Sequence, residues 1–163
     1  MQTVIVPLTP NLVRGFHAAL DSVAREGRYL AMLEAPPLDA ARRFVRNGVK
    51  AGAIHYVALV DDQVIGWCDI NRPVYPTQRH SGVLGMGIVS GHRARGVGNA
   101  LLSASLADAD SIGLTRVELR VRTDNAAAIH LYEKSGFVTE GTCRKYLHSE
   151  GRYHDTLIMA RLR

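Results

Sequence analysis

With 163 residues the chain is long enough for one domain with a full core, and 47% hydrophobic with 21% charged residues is the balance of a soluble globular protein. No apolar run approaches the ~20 residues of a membrane span, and the opening MQTVIVPLTPNLVRG lacks the basic start and long apolar stretch of a signal peptide, so a cytoplasmic protein with no membrane partner is expected. The net charge of +5 favours anionic partners, but no Lys/Arg run or aromatic-interleaved basic stripe points to nucleic acid.

In chain order, Thr3 to Leu8 reads as a strand. Thr9-Pro10 then places an N-cap before a proline at the first helical position, where a missing N–H costs nothing. Leu12, Phe16, Leu20 and Val23 continue at near-helical spacing, and Gly27 ends that helix. After Pro36-Pro37 a second helix is predicted from about Leu38 to Val49, with Ala41, Phe44, Val45 and Gly48 on its inner side. IHYVALV (54–60), the turn Asp61-Asp62-Gln63 and VIGWCDI (64–70) form a hairpin. The stretch 71–81 reads as an exposed loop. VLGMGIV (83–89) is another strand, whose Gly85 and Gly87 suggest a bulge or a close backbone approach.

A helix follows Gly96 and runs to about Ile112, with Leu102, Leu106 and Ala109 inward. Thr115 to Arg122 alternates as a strand. Thr123-Asp124-Asn125 caps a helix that ends at Ser135-Gly136. Residues 137–148 and 152–162 form a last strand pair. The order β-α-α-β-β-β-α-β-α-β-β, without repeat or linker, describes one α/β domain over residues 1–163 with a mixed sheet.

Metal chemistry is not indicated. The seven histidines are scattered, none with HExxH or finger spacing, and Cys68 and Cys143 have no CxxC partner, so they read as free thiols. The most informative segment is GIVSGHRARGVGNALL (87–102). There a strand runs into Arg93-Ala94-Arg95-Gly96-Val97-Gly98 and a helix begins. Unpaired N–H groups and the helix dipole make such a start an anion cradle. Glycine lets the backbone approach a phosphate, and Arg93 and Arg95 add charge. The ligand implied is a phosphate or pyrophosphate. Taken alone the loop is weakly specific, since neither the full GxGxxG nor the GK[ST] fingerprint is present.

RxxGxG after a strand resembles the coenzyme A pyrophosphate motif of the GNAT superfamily of N-acetyltransferases. About 27 residues on, NAAAIHLYEKSGF (125–137) is similar to the family's second signature, with Asn, Ala, Tyr and a terminal Gly-Phe. The tail GTCRKYLHSEGRYHDTLIMARL looks like the bacterial branch holding L-amino acid and ribosomal-protein N-acetyltransferases. The resemblance implies a GNAT-like mixed, mostly antiparallel sheet of about seven strands, four flanking helices and a bulge in the fourth strand. It implies acetyl-coenzyme A as co-substrate and attack of a neutral amine on the thioester. Arg93, Ala94, Arg95, Gly96, Val97, Gly98 and Asn99 would clamp the pyrophosphate. Backbone groups of Met86, Gly87 and Ile88 would pair with the pantetheine arm, and an N–H there would serve the oxyanion. Tyr132 would be the general acid at the leaving sulfur, although a tyrosine there also anchors its helix in the core. Asn125 would touch the cofactor or simply cap its helix.

The chain departs from the family at Gly82-Val83-Leu84-Gly85, where many relatives carry a glutamate. Asp69, Glu34, Glu26, His80 or water remain as candidate bases. The expected acceptor is a small primary amine, an amino acid among the candidates, and symmetric pairing into a homodimer is the commonest oligomer. A peptide N-terminus as acceptor, or a coenzyme A-binding module without turnover, are the alternatives.

Overall fold

The computed structural model describes residues 2–163. Seven strands form one sheet in the order β1-β2-β3-β4-β5-β7-β6. They are β1 (Val4–Pro7), β2 (Ile54–Val60), β3 (Gln63–Asn71), β4 (Ser81–Ile88), β5 (Arg116–Arg122), β6 (Val138–Ser149) and β7 (Arg152–Leu162). Four helices flank it: α1 (Val13–Arg25), α2 (Leu38–Lys50), α3 (Val97–Ser111) and α4 (Ala126–Lys134). Every neighbouring pair is antiparallel except β4 and β5, which α3 connects in parallel.

Most local signals act as expected, and the first helix is adjusted at its start. Pro10–Leu12 is a 3-10 turn that leads into α1, and the Thr9 side chain makes no capping bond. The β2–β3 hairpin turns through Asp61 and Asp62, both at positive φ, as a tight two-residue hairpin requires. Gly113 and Gly136 sit just past α3 and α4 with φ of 81° and 90°, a conformation that favours glycine at helix ends. Among the described residues no helix is long and apolar enough to cross a membrane.

Alternation along the central strands makes two cores. Ala58, Cys68, Ile70 and Leu84 face α3, where Leu101, Leu102 and Ala109 are wholly buried. Tyr56 ties this face further by donating its hydroxyl hydrogen to Asp108 at 2.7 Å. Val57 and Trp67 face the other way, against Phe16, Leu20 and Val23 of α1 and Ala41 and Val45 of α2. Phe44 departs from its predicted inward place: it is 46% exposed at the rim of α2.

The sheet opens at its centre. β4 pairs with β5 only at Ser81–Arg116, Gly82–Val117 and Val83–Glu118. From Leu84 to Ile88, β4 keeps its pairing with β3 but has no partner on the β5 side. The opening lies where the bulge was expected, yet the β3–β4 register runs unshifted from Val83 to Ile88. The strands part by divergence instead of by an inserted residue. The glycines serve close approach: a Cβ on Gly87 would meet the Trp67 ring at 2.4 Å, and one on Gly85 would meet Asp69 Oδ1 at 3.0 Å.

Candidate active site

The parting of β4 and β5 creates a cleft of about 410 Å3 that reaches from the loop after α1 to α4. Its long wall is the unpaired edge of β4. A strand edge without a neighbour presents N–H and C=O groups that another extended chain can satisfy. Met86, Gly87 and Ile88 lie on that edge.

At the end of β4 the chain turns through residues 89–96 into α3. Ala94 and Gly96 take φ of 58° and 80°. Gly96 is the N-cap of α3, and no side chain caps that end. The first N–H groups of a 15-residue helix are thus left to the cleft, with the positive end of its dipole. Left-handed residues set among right-handed ones turn successive N–H groups inward, a geometry that holds anions. Ala94, Gly96, Gly98 and Asn99 line the cleft here. A Cβ on Gly98 would stand 3.1 Å from Leu131 and 3.2 Å from Ile88, so glycine lets α3 close on α4 and β4.

Two of the predicted loop residues stand elsewhere. Val97 is 3% exposed in the core beneath α3, and Arg95 is exposed outside the cleft lining. Arg93 does line the cleft, but its charge is already engaged. Its guanidinium donates to both carboxylate oxygens of Glu26, at 2.9 and 2.6 Å, and through Nε to the Ile88 carbonyl at 2.8 Å. The same group lies 4.4 Å over the Tyr29 ring. Arg93 therefore ties the loop to the C-terminal end of α1, 67 residues away in sequence, instead of standing free for a phosphate. The N–H groups at the start of α3 remain without a side-chain cap.

Tyr132 lies on α4 facing the opposite wall. It is 7% exposed, with its ring tilted against Phe137 at 5.8 Å. Burial raises its hydroxyl above the ordinary tyrosine range, so it stays protonated. Among the described residues that hydroxyl makes no hydrogen bond to protein, and Tyr132 lines the cleft. Asn125 caps α4 by accepting from the Ala128 N–H at 3.3 Å, while also lining the cleft. Both roles weighed for it are compatible here.

The candidate bases separate clearly. Glu26 is held by Arg93. Glu34 is exposed beside Arg25, 3.5 Å from it. His80 is exposed at the start of β4, its carbonyl accepting from Thr115 and Arg116. Asp69 alone faces into the fold, across the strand from Gly85. Three cations that sequence reasoning passed over also line the cleft: Arg122, held by Asp124, and, apart from it, Arg28, from the loop after α1, and Arg120, on β5. Neither Arg28 nor Arg120 has a carboxylate partner among the described residues, and Arg120 lies 4.6 Å over the Tyr146 ring. Their ordinary surface sequence contexts carried no signal. Among the described residues no three His, Cys, Asp or Glu side chains group as a metal site would require.

Comparison with known proteins agrees with this geometry. Residues 18–137 match the profile of the "Acetyltransferase (GNAT) family". The chain is 36% identical over 119 residues to the L-amino acid N-acetyltransferase AaaT of Escherichia coli (strain K12), covering 72% of this chain and 71% of that one. It is 33% identical to an N-alpha-acetyltransferase of Sulfurisphaera tokodaii, over 72% and 74% of the two chains. Its fold matches a phosphinothricin acetyltransferase from Sinorhizobium meliloti, solved in complex with AcCoA, at a TM-score of 0.92 with 19% identity, over 99% and 89% of the chains.

Proposed function

Because the chain belongs to the GNAT acetyltransferase family, we propose that it transfers the acetyl group of acetyl-coenzyme A to the primary amine of a small acceptor, an amino acid. One observation carries the reading: the unpaired β4 edge runs directly into an uncapped helix start, with Tyr132 across the cleft.

Acetyl-coenzyme A is a substrate here, and it supplies a thioester carbonyl open to attack. The chain offers three things to that chemistry. The backbone of Ala94 to Asn99 holds the pyrophosphate with N–H donors that need no reorganisation. The edge of β4 at Met86–Ile88 pairs with the extended pantetheine arm and donates an N–H to the oxygen where negative charge develops. The Tyr132 hydroxyl meets the departing sulfur. An ordinary thiol has a pKa of about 8.5, well below that of a buried phenol, so Tyr132 acts mainly as a hydrogen-bond donor to the thiolate. Full proton transfer would run uphill.

The amino acid reading is supported by Arg28 and Arg120, which offer the cleft two cations for an acceptor carboxylate. Its similarity to AaaT, an L-amino acid N-acetyltransferase, points the same way. The similarity to an N-alpha-acetyltransferase favours a peptide N-terminus as second reading.

A competition assay offering free amino acids, polyamines and a peptide library at equal amine concentration separates them. Free amino acids are expected to be acetylated first. A preference for peptides would refute the acceptor and leave the chemistry in place. In the same assay Tyr132→Phe should lower kcat about 10- to 1000-fold, the range of lost proton handling, with little change in acetyl-coenzyme A affinity. Turnover at the wild-type rate would make Tyr132 structural only.

A further inference from the structure

A second cavity, of about 320 Å3, lies under α2. Leu8, Phe44, Val45 and Ile54 give it apolar walls, and Asp69 and His55 are the only ionisable side chains in its lining. His55 stands directly opposite Asp69 in the β2–β3 register, and Asp69 stands directly opposite Gly85 in the β3–β4 register. The Asp69 carboxylate lies over Gly85, since a Cβ there would come within 3.0 Å of Oδ1. Gly85 in turn lines the cleft between β4 and β5. One carboxylate of the second cavity thus lies against a residue that lines the cleft, beside the point at which β4 leaves β5.

We propose that Asp69 is the proton acceptor for the acceptor amine, and that the cavity under α2 receives the apolar side chain of an amino acid acceptor. The proposal rests on the acetyl-transfer reading above and assigns two parts of it that the motifs leave open.

Three observations support it. Val83 and Gly85 lie one pleat apart on the same face of β4, and Asp69 brings a carboxylate to that face from β3. The buried Nε2 of His55 has no hydrogen-bond partner among the described residues, as expected of a group that meets a ligand or its water. Finally, burial raises Asp69 to about 6, with the Gly85 backbone and the Asn71 side chain limiting the shift. A free aspartate near ~3.9 is a poor base, whereas one near 6 is better matched to an ammonium.

The surroundings of Asp69 are simple. From β2 it faces His55, which burial lowers to about 4 and so keeps neutral. From β4 it faces only Gly85. From α2 the cavity is lined by Phe44, Val45, Asn47, Gly48 and Val49, none of them ionisable. Cys68, its neighbour in the chain, faces α3 and stays a neutral thiol, pushed up to about 12 by burial.

The step balances as follows. The acceptor ammonium gives one proton to the Asp69 carboxylate. The freed nitrogen lone pair forms the C–N bond to the acetyl carbon, and the C–S bond breaks with its electron pair on sulfur. The second nitrogen proton ends on that sulfur, next to the Tyr132 hydroxyl. Asp69 returns its own proton to water.

Two variants, with L-leucine and glycine as probes, test the proposal. Asp69→Asn should bind acetyl-coenzyme A as the wild type does by calorimetry. Its kcat/KM for L-leucine should fall about 100-fold at pH 7, and the loss should shrink as pH rises toward the amine's own value, which the adjacent carboxylate holds above the ~8 of a chain N-terminus, and where the amine deprotonates unaided. In the wild type kcat/KM should rise through pH 6. A carbon-13 titration of the Asp69 carboxyl should shift to lower pH when L-leucine and coenzyme A are added. Gly48→Leu fills the cavity from α2, where a Cβ meets only Ala53 at 3.4 Å and leucine favours the helix. It should lower the ratio of kcat/KM for L-leucine over glycine at least about 10-fold. An Asp69→Asn loss equal at every pH, an unmoved titration or an unchanged leucine-to-glycine ratio overturns the proposal. So does a wild type that binds acetyl-coenzyme A but acetylates neither amino acid. A wild type that does not bind acetyl-coenzyme A defeats the functional reading itself.

Discussion

The two faces of the sheet are built to different rules. Under α3, Leu101, Leu102, Leu119 and Met159 are fully buried, and the buried Ser105 hydroxyl donates to the Cys68 carbonyl at 3.5 Å. Under α1 and α2 the packing is interrupted. Phe44 stays 46% exposed, the His55 Nε2 is unpartnered, and Asp69 sits in an environment that disfavours its charge. A face that only holds the fold together fills its volume. A face that admits a substrate keeps space and leaves polar groups waiting, at a cost in stability.

The largest effect should come from the closed face. Leu102→Ala removes a wholly buried side chain from a core that cannot collapse around it, and should cost about 2–5 kcal/mol by denaturant titration. A loss below about 1 kcal/mol would mean that this core is not close-packed.

The next sharpens the contrast, because Asp69→Asn should raise stability. The folded-state value of Asp69, about 6, lies above the unfolded ~3.9, so the charged form destabilises the fold above pH 6 and the penalty fades as pH falls toward 4. Two pK units correspond to about 3 kcal/mol, and partial exposure reduces the expected gain to about 1–3 kcal/mol at pH 7.5. His55 acts in the opposite sense. Its value, about 4, lies below the unfolded ~6.5, so stability falls as pH drops from 6.5 toward 4. The two slopes offset each other in the wild type between pH 6.5 and 4.5. Asp69→Asn should expose the His55 slope, seen as a melting temperature that falls across that window. A variant less stable than wild type at pH 7.5 would make Asp69 a structural residue.

The smallest effect should be Phe44→Ala, below about 1 kcal/mol, since the ring is half exposed and its neighbour His55 lies 6.0 Å away. A loss comparable to that of Leu102→Ala would show the α2 face to be packed as tightly as the other.

The parts of this architecture set by neighbours in sequence were legible before the structure. The turn read at 61–63, which narrows to Asp61-Asp62 because Gln63 pairs with Val60, the glycines after helices, the alternation of strands and the stripe Leu102, Leu106, Ala109 are local signals, and each produced its element. The glycine loop was legible for the same reason, since strand, turn and helix start are contiguous. What depends on residues far apart was not. Arg93 read as a phosphate ligand because its partner Glu26 lies 67 positions earlier. Gly85 and Gly87 left a bulge and a close approach both open, because Asp69 and Trp67, which lie over them and decide it, come from another strand. Phe44 falls on the apolar side of its helix, yet borders the cavity under α2, which β2 and β3 also wall, and stays 46% exposed.

The acetyl-transfer reading turns on the loop at the start of α3, and calorimetry with acetyl-coenzyme A tests it most directly. The wild type should bind with micromolar affinity. Gly96→Ala introduces the strain of a side chain at φ 80° into open space and should keep most of that affinity. Gly96→Glu adds to the same strain a negative charge at the anion cradle, and should abolish binding while the protein stays folded. A folded Gly96→Glu protein with wild-type affinity would contradict the site, the co-substrate and the function inferred from them.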